Sequence, residues 1–215
     1  MKEKIIIFDL DGVIFDTTQI LNDYMRQIFP TITQEVMDEV LCGNFHEGFE
    51  NLKLTLEQVK ETAEEKETRK IVYAEKKADA LMFNGIKELL ERLHQEGYRL
   101  VINTSALERN CLPLIEKAGI VDKFDFIASA EISKSKIEKF ELIDKKFGAA
   151  KENTIFITDT LGDLREADTA SVPTIAVLWG AHSLKFFERE KHNNLIGIVN
   201  TVDELEKAIK EHLPS

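Results

Sequence analysis

Short apolar runs rich in β-branched residues alternate along the chain with longer stretches whose apolar residues recur every three to four positions. Between Lys4 and Leu10 the run Ile5-Ile6-Ile7-Phe8 has no polar interruption and ends at Asp9. That pattern predicts a short strand buried on both faces. Arg99 to Asn103, Thr154 to Thr158 and Thr174 to Leu178 repeat it, and Phe124 to Ala128 is a fainter fifth. Between these runs lie helical stripes. Ile86, Leu89, Leu90 and Leu93 are followed by Gly97. Leu112, Leu114, Ile115 and Ala118 precede Gly119, and Phe140, Ile143 and Phe147 precede Gly148. Each glycine sits where a helix C-cap belongs. Strands alternating with helices predict right-handed βαβ units: an α/β fold with a doubly wound, Rossmann-like parallel sheet.

The stretch 16–83 breaks this rhythm and holds no buried-strand pattern. Ile20, Leu21, Tyr24, Met25 and Ile28 predict an amphipathic helix ended by Pro30. Val36, Met37, Val40 and Leu41 predict a second, followed by Gly43, and Leu52, Leu56, Val59 and Ala63 open a longer third. The charge-dense run 57–77 is read as a solvated face with i,i+4 pairs such as Glu65 to Arg69. The expected organisation is a core formed by 1–15 and 84–215, with 16–83 inserted as a small α-helical domain.

Composition narrows the possibilities. Of 215 residues, 43 % are hydrophobic, enough for a packed core. The net charge of −11 argues against a general nucleic-acid binder, which needs clustered Lys and Arg. No apolar run approaches the roughly 18 residues of a membrane helix, so no membrane partner is expected. The apolar start is too short for a signal peptide, and a cytoplasmic location is expected. Cys42 and Cys111 form no metal or disulfide pattern. The oligomeric state is left open.

In open parallel sheets, ligands bind beyond the carboxyl ends of the strands. The residues at those ends are Asp9, Asp11 and Gly12 after the first run, Thr104 and Ser105 after the second, and Asp159 and Asp163 after the fourth. Lys134 precedes the helix that leads to the fourth. Three carboxylates in one cleft repel each other, and a hard cation such as Mg²⁺ would neutralise them while keeping waters that a phosphate can replace. A carboxylate can serve as nucleophile, and a second one two residues along faces the same side, placed for proton transfer. A hydroxyl with backbone N–H groups, and a lysine, suit the anionic oxygens of a phosphoryl group.

Phe8-Asp9-Leu10-Asp11-Gly12-Val13 resembles the first motif of the haloacid dehalogenase-like hydrolase superfamily, in its phosphoglycolate phosphatase and β-phosphoglucomutase-like branch. Leu100 to Thr104 resembles the second motif, Ile157 to Asp163 the fourth, and Val177-Leu178-Trp179-Gly180 the turn after the fifth strand. The ordered set covers nearly the whole chain. The resemblance implies Asp9 as nucleophile and metal ligand, and Asp11 as acid/base with its backbone carbonyl on the metal. It implies Thr104 and Ser105 on the phosphoryl oxygens, Asp159 as a further ligand to Mg²⁺, and Asp163 holding a metal-bound water or orienting its neighbours. The third-motif lysine, a catalytic and phosphate-binding group, is Lys134 by counting back from Phe140 and Gly148, with Lys136 as the alternative, because the prolines common in relatives are absent.

The insert resembles the helical cap of such enzymes. Within it, 41–48 is expected as a loop facing the site, with Asn44 and His46 as candidate specificity contacts. His182 is expected on a surface loop. The implied activity is Mg²⁺-dependent hydrolysis of a small phosphorylated metabolite through an aspartyl-phosphate. The alternatives are a sugar phosphomutase of the β-phosphoglucomutase type and a non-catalytic sensor of phosphorylated ligands.

Overall fold

Ile5–Phe8 form β1, and every side chain in it is buried. Its even and odd positions feed two different cores, which explains the uninterrupted apolar run. Ile6 and Phe8 pack with Ile86, Leu90, Leu114 and Leu205. Ile5 and Ile7 pack with Phe140, Ile143 and Phe156 on the opposite face. Burying each such side chain contributes roughly 1.5–3 kcal/mol. The molecule, a computed structural model, is described over residues 3–148 and 151–214. Met1, Lys2, Ala149, Ala150 and Ser215, which the expected core boundaries include, lie outside the described residues.

β2 (Arg99–Asn103), β3 (Phe126–Ala128), β4 (Thr154–Thr158), β5 (Thr174–Val177) and β6 (Leu195–Val199) complete the sheet of the described residues, in the order β3-β2-β1-β4-β5-β6. All pairings are parallel. Helices α5 (Ile86–Gln95), α6 (Glu108–Ala118) and α10 (Val202–His212) cover one face, and α7 (Lys136–Phe147) and α8 (Leu161–Ala170) the other. A short α9 spans Leu184–Phe187. The predicted doubly wound α/β fold is the one observed. β6 was not foreseen: it is half-buried along most of its length, and Gly197 interrupts its apolar run.

The chain leaves the core after β1 and returns before α5. The two crossings run side by side: the Asp16 N–H donates to the Leu81 carbonyl (2.9 Å) and the Phe83 N–H to that of Ile14 (3.0 Å). Between them lie α1 (Thr18–Ile28), α2 (Gln34–Val40), α3 (Phe45–Thr55) and α4 (Ala63–Ala78). They share their own apolar cluster of Met25, Ile28, Phe29, Ile32, Met37 and Leu52.

The expected long third helix is two helices. Residues 56–62 are not helical, and α4 restarts with a capping box, Thr62 and Glu65 each bonding the other's backbone N–H. Glu65 is therefore not Arg69's partner; Arg69 pairs with Glu61 across the break. The expected loop 41–48 is shorter too, because Phe45-His46-Glu47-Gly48 form the opening of α3.

Candidate active site

β1 and β4 are in register through Phe8 and Ile157, and β1 and β2 through Phe8 and Ile102. The residues just beyond therefore meet at one edge, where the strand order reverses and the sheet opens a crevice. Asp9, Asp11, Asp159 and Asp163 all line one cavity there, with Ser105 beside them.

The lysine within this cluster is Lys136. Its Nζ is 3.0 Å from Asp9 Oδ1 and 2.6 Å from Asp163 Oδ2. Lys134 is exposed, and its backbone carbonyl accepts from Asn44 Nδ2 at 2.9 Å. The helix start explains the two-residue displacement from the counted register. Ser135 caps α7 by accepting from the Glu138 N–H, so Lys136 is the first helical residue and turns inward. Lys136 is 1 % exposed. Burial pulls its ammonium down, but Asp163 and Asp9 outweigh burial and hold it protonated.

Asp9 is pushed well above the usual carboxylate range by burial, against the pull of Lys136 and with the push of Asp163 and Asp159. Asp9 Oδ1 also accepts from the Leu10 N–H. Burial likewise raises Asp163, but Lys136 and the hydroxyl of Thr158 reverse that, and Asp163 stays below its ordinary value. Asp159 is raised by burial to about 7. Its Oδ2 accepts from the Ala181 N–H at 2.7 Å, whereas its Oδ1 is buried without a partner. A buried carboxylate oxygen with no donor is costly unless a proton or a cation satisfies it.

That orphan oxygen fits a divalent cation held by Asp159 and Asp9. Among the described residues no three His, Cys, Asp or Glu side chains gather into a cage. A cation bound at this edge would have few protein side chains and several waters, which is Mg²⁺-like coordination. Gly12 and Gly180 make room for this carboxylate: a Cβ on either would overlap Asp159, and Gly12 also sits at φ +75°.

Asp11 faces the insert. Its Oδ1 accepts from Thr17 Oγ1 at 2.7 Å and its Oδ2 from Lys77 Nζ at 2.7 Å. Lys77 was not foreseen. It lies in the charge-dense run read as solvated, yet it is 2 % exposed. The signal was the spacing of Lys70, Tyr73 and Lys77, one face of α4, and all three line the cavity. Thr104 is buried at the end of β2; its hydroxyl accepts from the Ala106 N–H, and its carbonyl from Lys139 Nζ at 2.6 Å. Lys139 is a second unforeseen buried lysine, lowered to about 8 by burial and by Lys136.

Of the two expected specificity contacts, His46 lines the cavity and Asn44 does not. Asn44 caps α3 through the His46 and Glu47 N–H groups, and its amide also reaches Glu166 at 3.2 Å. His182 is buried rather than on the surface. Its Nδ1 accepts from the Leu161 N–H at 2.9 Å, and its Nε2 faces the Asp38 carbonyl at 3.1 Å. It therefore joins α8 of the core to α2 of the insert. Gly162 reinforces that seam by donating to the Leu41 carbonyl at 2.9 Å.

The model of the haloacid dehalogenase-like hydrolase family matches residues 6–177. The chain belongs to that family, on its phosphatase side. It is 28 % identical over 193 residues to "Probable phosphatase IndB" of Dickeya dadantii, covering 84 % of each chain. It is 26 % identical to a phosphoglycolate phosphatase of Mesorhizobium japonicum, covering 84 % of this chain and 85 % of that one. A hydrolase from Pseudomonas syringae shares the fold with a TM-score of 0.77 at 17 % identity, over 98 % of this chain and 99 % of that one.

Proposed function

We propose that the protein is a Mg²⁺-dependent phosphatase of small phosphorylated metabolites that works through a phosphoryl group carried on Asp9. The observation that carries this reading is the pairing of Asp9 with Lys136 at 3.0 Å, with Asp11 two residues along facing the same cavity. Bound by Asp9, Asp159 and the Asp11 backbone carbonyl, Mg²⁺ would supply positive charge against the phosphoryl oxygens. Asp163 holds Lys136 in place.

Asp9 attacks phosphorus and the ester P–O bond breaks. Asp11 passes a proton, drawn from the Lys77 ammonium that bonds its Oδ2, to the departing oxygen, which leaves as an alcohol. The Asp11–Lys77 pair then takes a proton back from water as that water attacks the phosphoryl group. The bond to Asp9 then breaks and inorganic phosphate is released. Lys136 and the backbone at Ser105 hold the phosphoryl oxygens, and Lys136 offsets the charge that builds around them. The insert acts as a cap that excludes water and carries the contacts to the leaving group.

The test is phosphate release from a panel of phosphomonoesters, with Mg²⁺ and with chelator. Release that needs Mg²⁺ and falls at least a thousandfold in Asp9→Asn and Lys136→Met is expected. Undiminished release by either variant contradicts the role assigned to the substituted residue.

A further inference from the structure

The cavity beside Asp9 encloses about 290 Å³, at the small end of ligand sites. One end carries the carboxylates. Much of the rest of its wall is apolar or aromatic: Leu21 and Tyr24 of α1, Phe45 and Phe49 of α3, Tyr73 of α4, and Leu107 before α6. The aromatic rings are held against each other. Tyr24 and Tyr73 have centroids 4.4 Å apart, and Phe45 and Phe49 are stacked at 6.2 Å.

The lysines lining this wall are already paired. Lys77 bonds Asp11 at 2.7 Å, and Lys70 bonds Glu67 at 2.9 Å. Arg109 contributes from an exposed position at the start of α6. A leaving group with its own negative charge would be desolvated among these apolar side chains, where the cost is high without a buried partner, and Arg109, the lining cation not paired above, is exposed. His46 offers a different contact, since its Nε2 is buried with no partner. A neutral imidazole nitrogen suits one hydrogen bond to an uncharged group.

Resting on the phosphatase reading, we propose that the substrate is a phosphomonoester whose leaving group is uncharged and largely apolar, about one ring in size. A phosphorylated aromatic or branched aliphatic alcohol fits. Phosphoglycolate and pyrophosphate, whose leaving groups are anions, do not. Water enters, the ester P–O bond breaks, and the alcohol and inorganic phosphate leave.

The experiment compares kcat/KM of the full chain with Mg²⁺ on benzyl phosphate, phosphoglycolate and pyrophosphate. The first two are both primary alkyl esters, so their intrinsic reactivities are similar. Benzyl phosphate is expected to exceed the other two at least tenfold. Phe45→Ser is expected to raise KM for benzyl phosphate about fivefold or more and to shrink the advantage of benzyl phosphate over phosphoglycolate in kcat/KM. Equal values, or a preference for phosphoglycolate or pyrophosphate, overturn the apolar assignment and leave the phosphatase reading intact. No release from any ester overturns the phosphatase reading. In that event calorimetry with benzylphosphonate against 3-phosphonopropionate still decides the cavity's preference, and tighter binding of the carboxylate-bearing phosphonate overturns the assignment.

Discussion

Lys77 Nζ stands 2.7 Å from Asp11 Oδ2, so a cation from the last turn of α4 meets the carboxyl that follows β1. Burial alone would lower this lysine, but the Asp11 charge outweighs it and holds the ammonium protonated. The carboxyl proposed for proton transfer is thus positioned by the insert. Lys77→Met keeps the side-chain volume and removes the charge. It is expected to lower kcat on the order of tenfold to a hundredfold, the effect of misplacing a catalytic group by about 1 Å. Steady-state kinetics on a good substrate check this, and an unchanged kcat contradicts it.

His182 accepts from Leu161 on one side and meets the Asp38 carbonyl on the other, and its ring stacks on Phe186 at 4.1 Å. His182→Ala leaves the Leu161 N–H without its acceptor and opens a cavity. A loss of about 2–4 kcal/mol is expected. For a chain of this size that lowers Tm by roughly 5–15 °C. Thermal denaturation followed by circular dichroism reads it; a shift under about 2 °C would show that the ring does not bind the two parts together.

Gly162 lies against the turn after α2. A Cβ there would overlap the carbonyls of Gly43 and Leu41. Gly162→Ala is expected to cost about 1–3 kcal/mol as α8 and the insert are forced apart. Urea denaturation gives the loss, and limited proteolysis is expected to cut the variant faster near 41–44. Wild-type values in both measurements count against the close seam.

Lys139 gives a pH signature. Its folded pKa is pushed down to about 8 from an ordinary 10.5 by burial and Lys136. The fold favours the neutral amine, so this contribution to stability is fully present above about 10.5 and is lost as pH falls through about 8. Lys139→Met removes the contribution. Denaturation of both proteins at several pH values from about 8 to 10.5 is expected to show wild type losing stability relative to the variant as pH falls. Parallel curves across that window contradict the burial of a titrating amine.

Much of the fold is written in one-dimensional patterns. Ile5-Ile6-Ile7-Phe8 announces a central strand because both its faces are buried, and Gly119 and Gly148 end helices at left-handed positions that a pattern shows. β6 is missed because its half-buried residues and Gly197 weaken the strand signal. The acidic cluster was legible because Asp9, Asp11, Asp159 and Asp163 follow strand ends. Lys136 was ambiguous because local capping by Ser135 decides which lysine turns inward. Lys77 and His182 were misread for a common reason. Each is buried by a partner far away in sequence, Asp11 and Asp38 respectively, and a charge count or a loop position carries no trace of that partner.

A phosphoryl group carried on Asp9 is the step on which the proposed mechanism turns. Its most direct test is a single-turnover reaction with a phosphorus-labelled monoester and Mg²⁺, quenched in acid, with label counted on the protein. The expected result is label on the wild-type chain that neutral hydroxylamine releases, and none on Asp9→Asn. Label retained by Asp9→Asn, or full turnover by that variant, would contradict it.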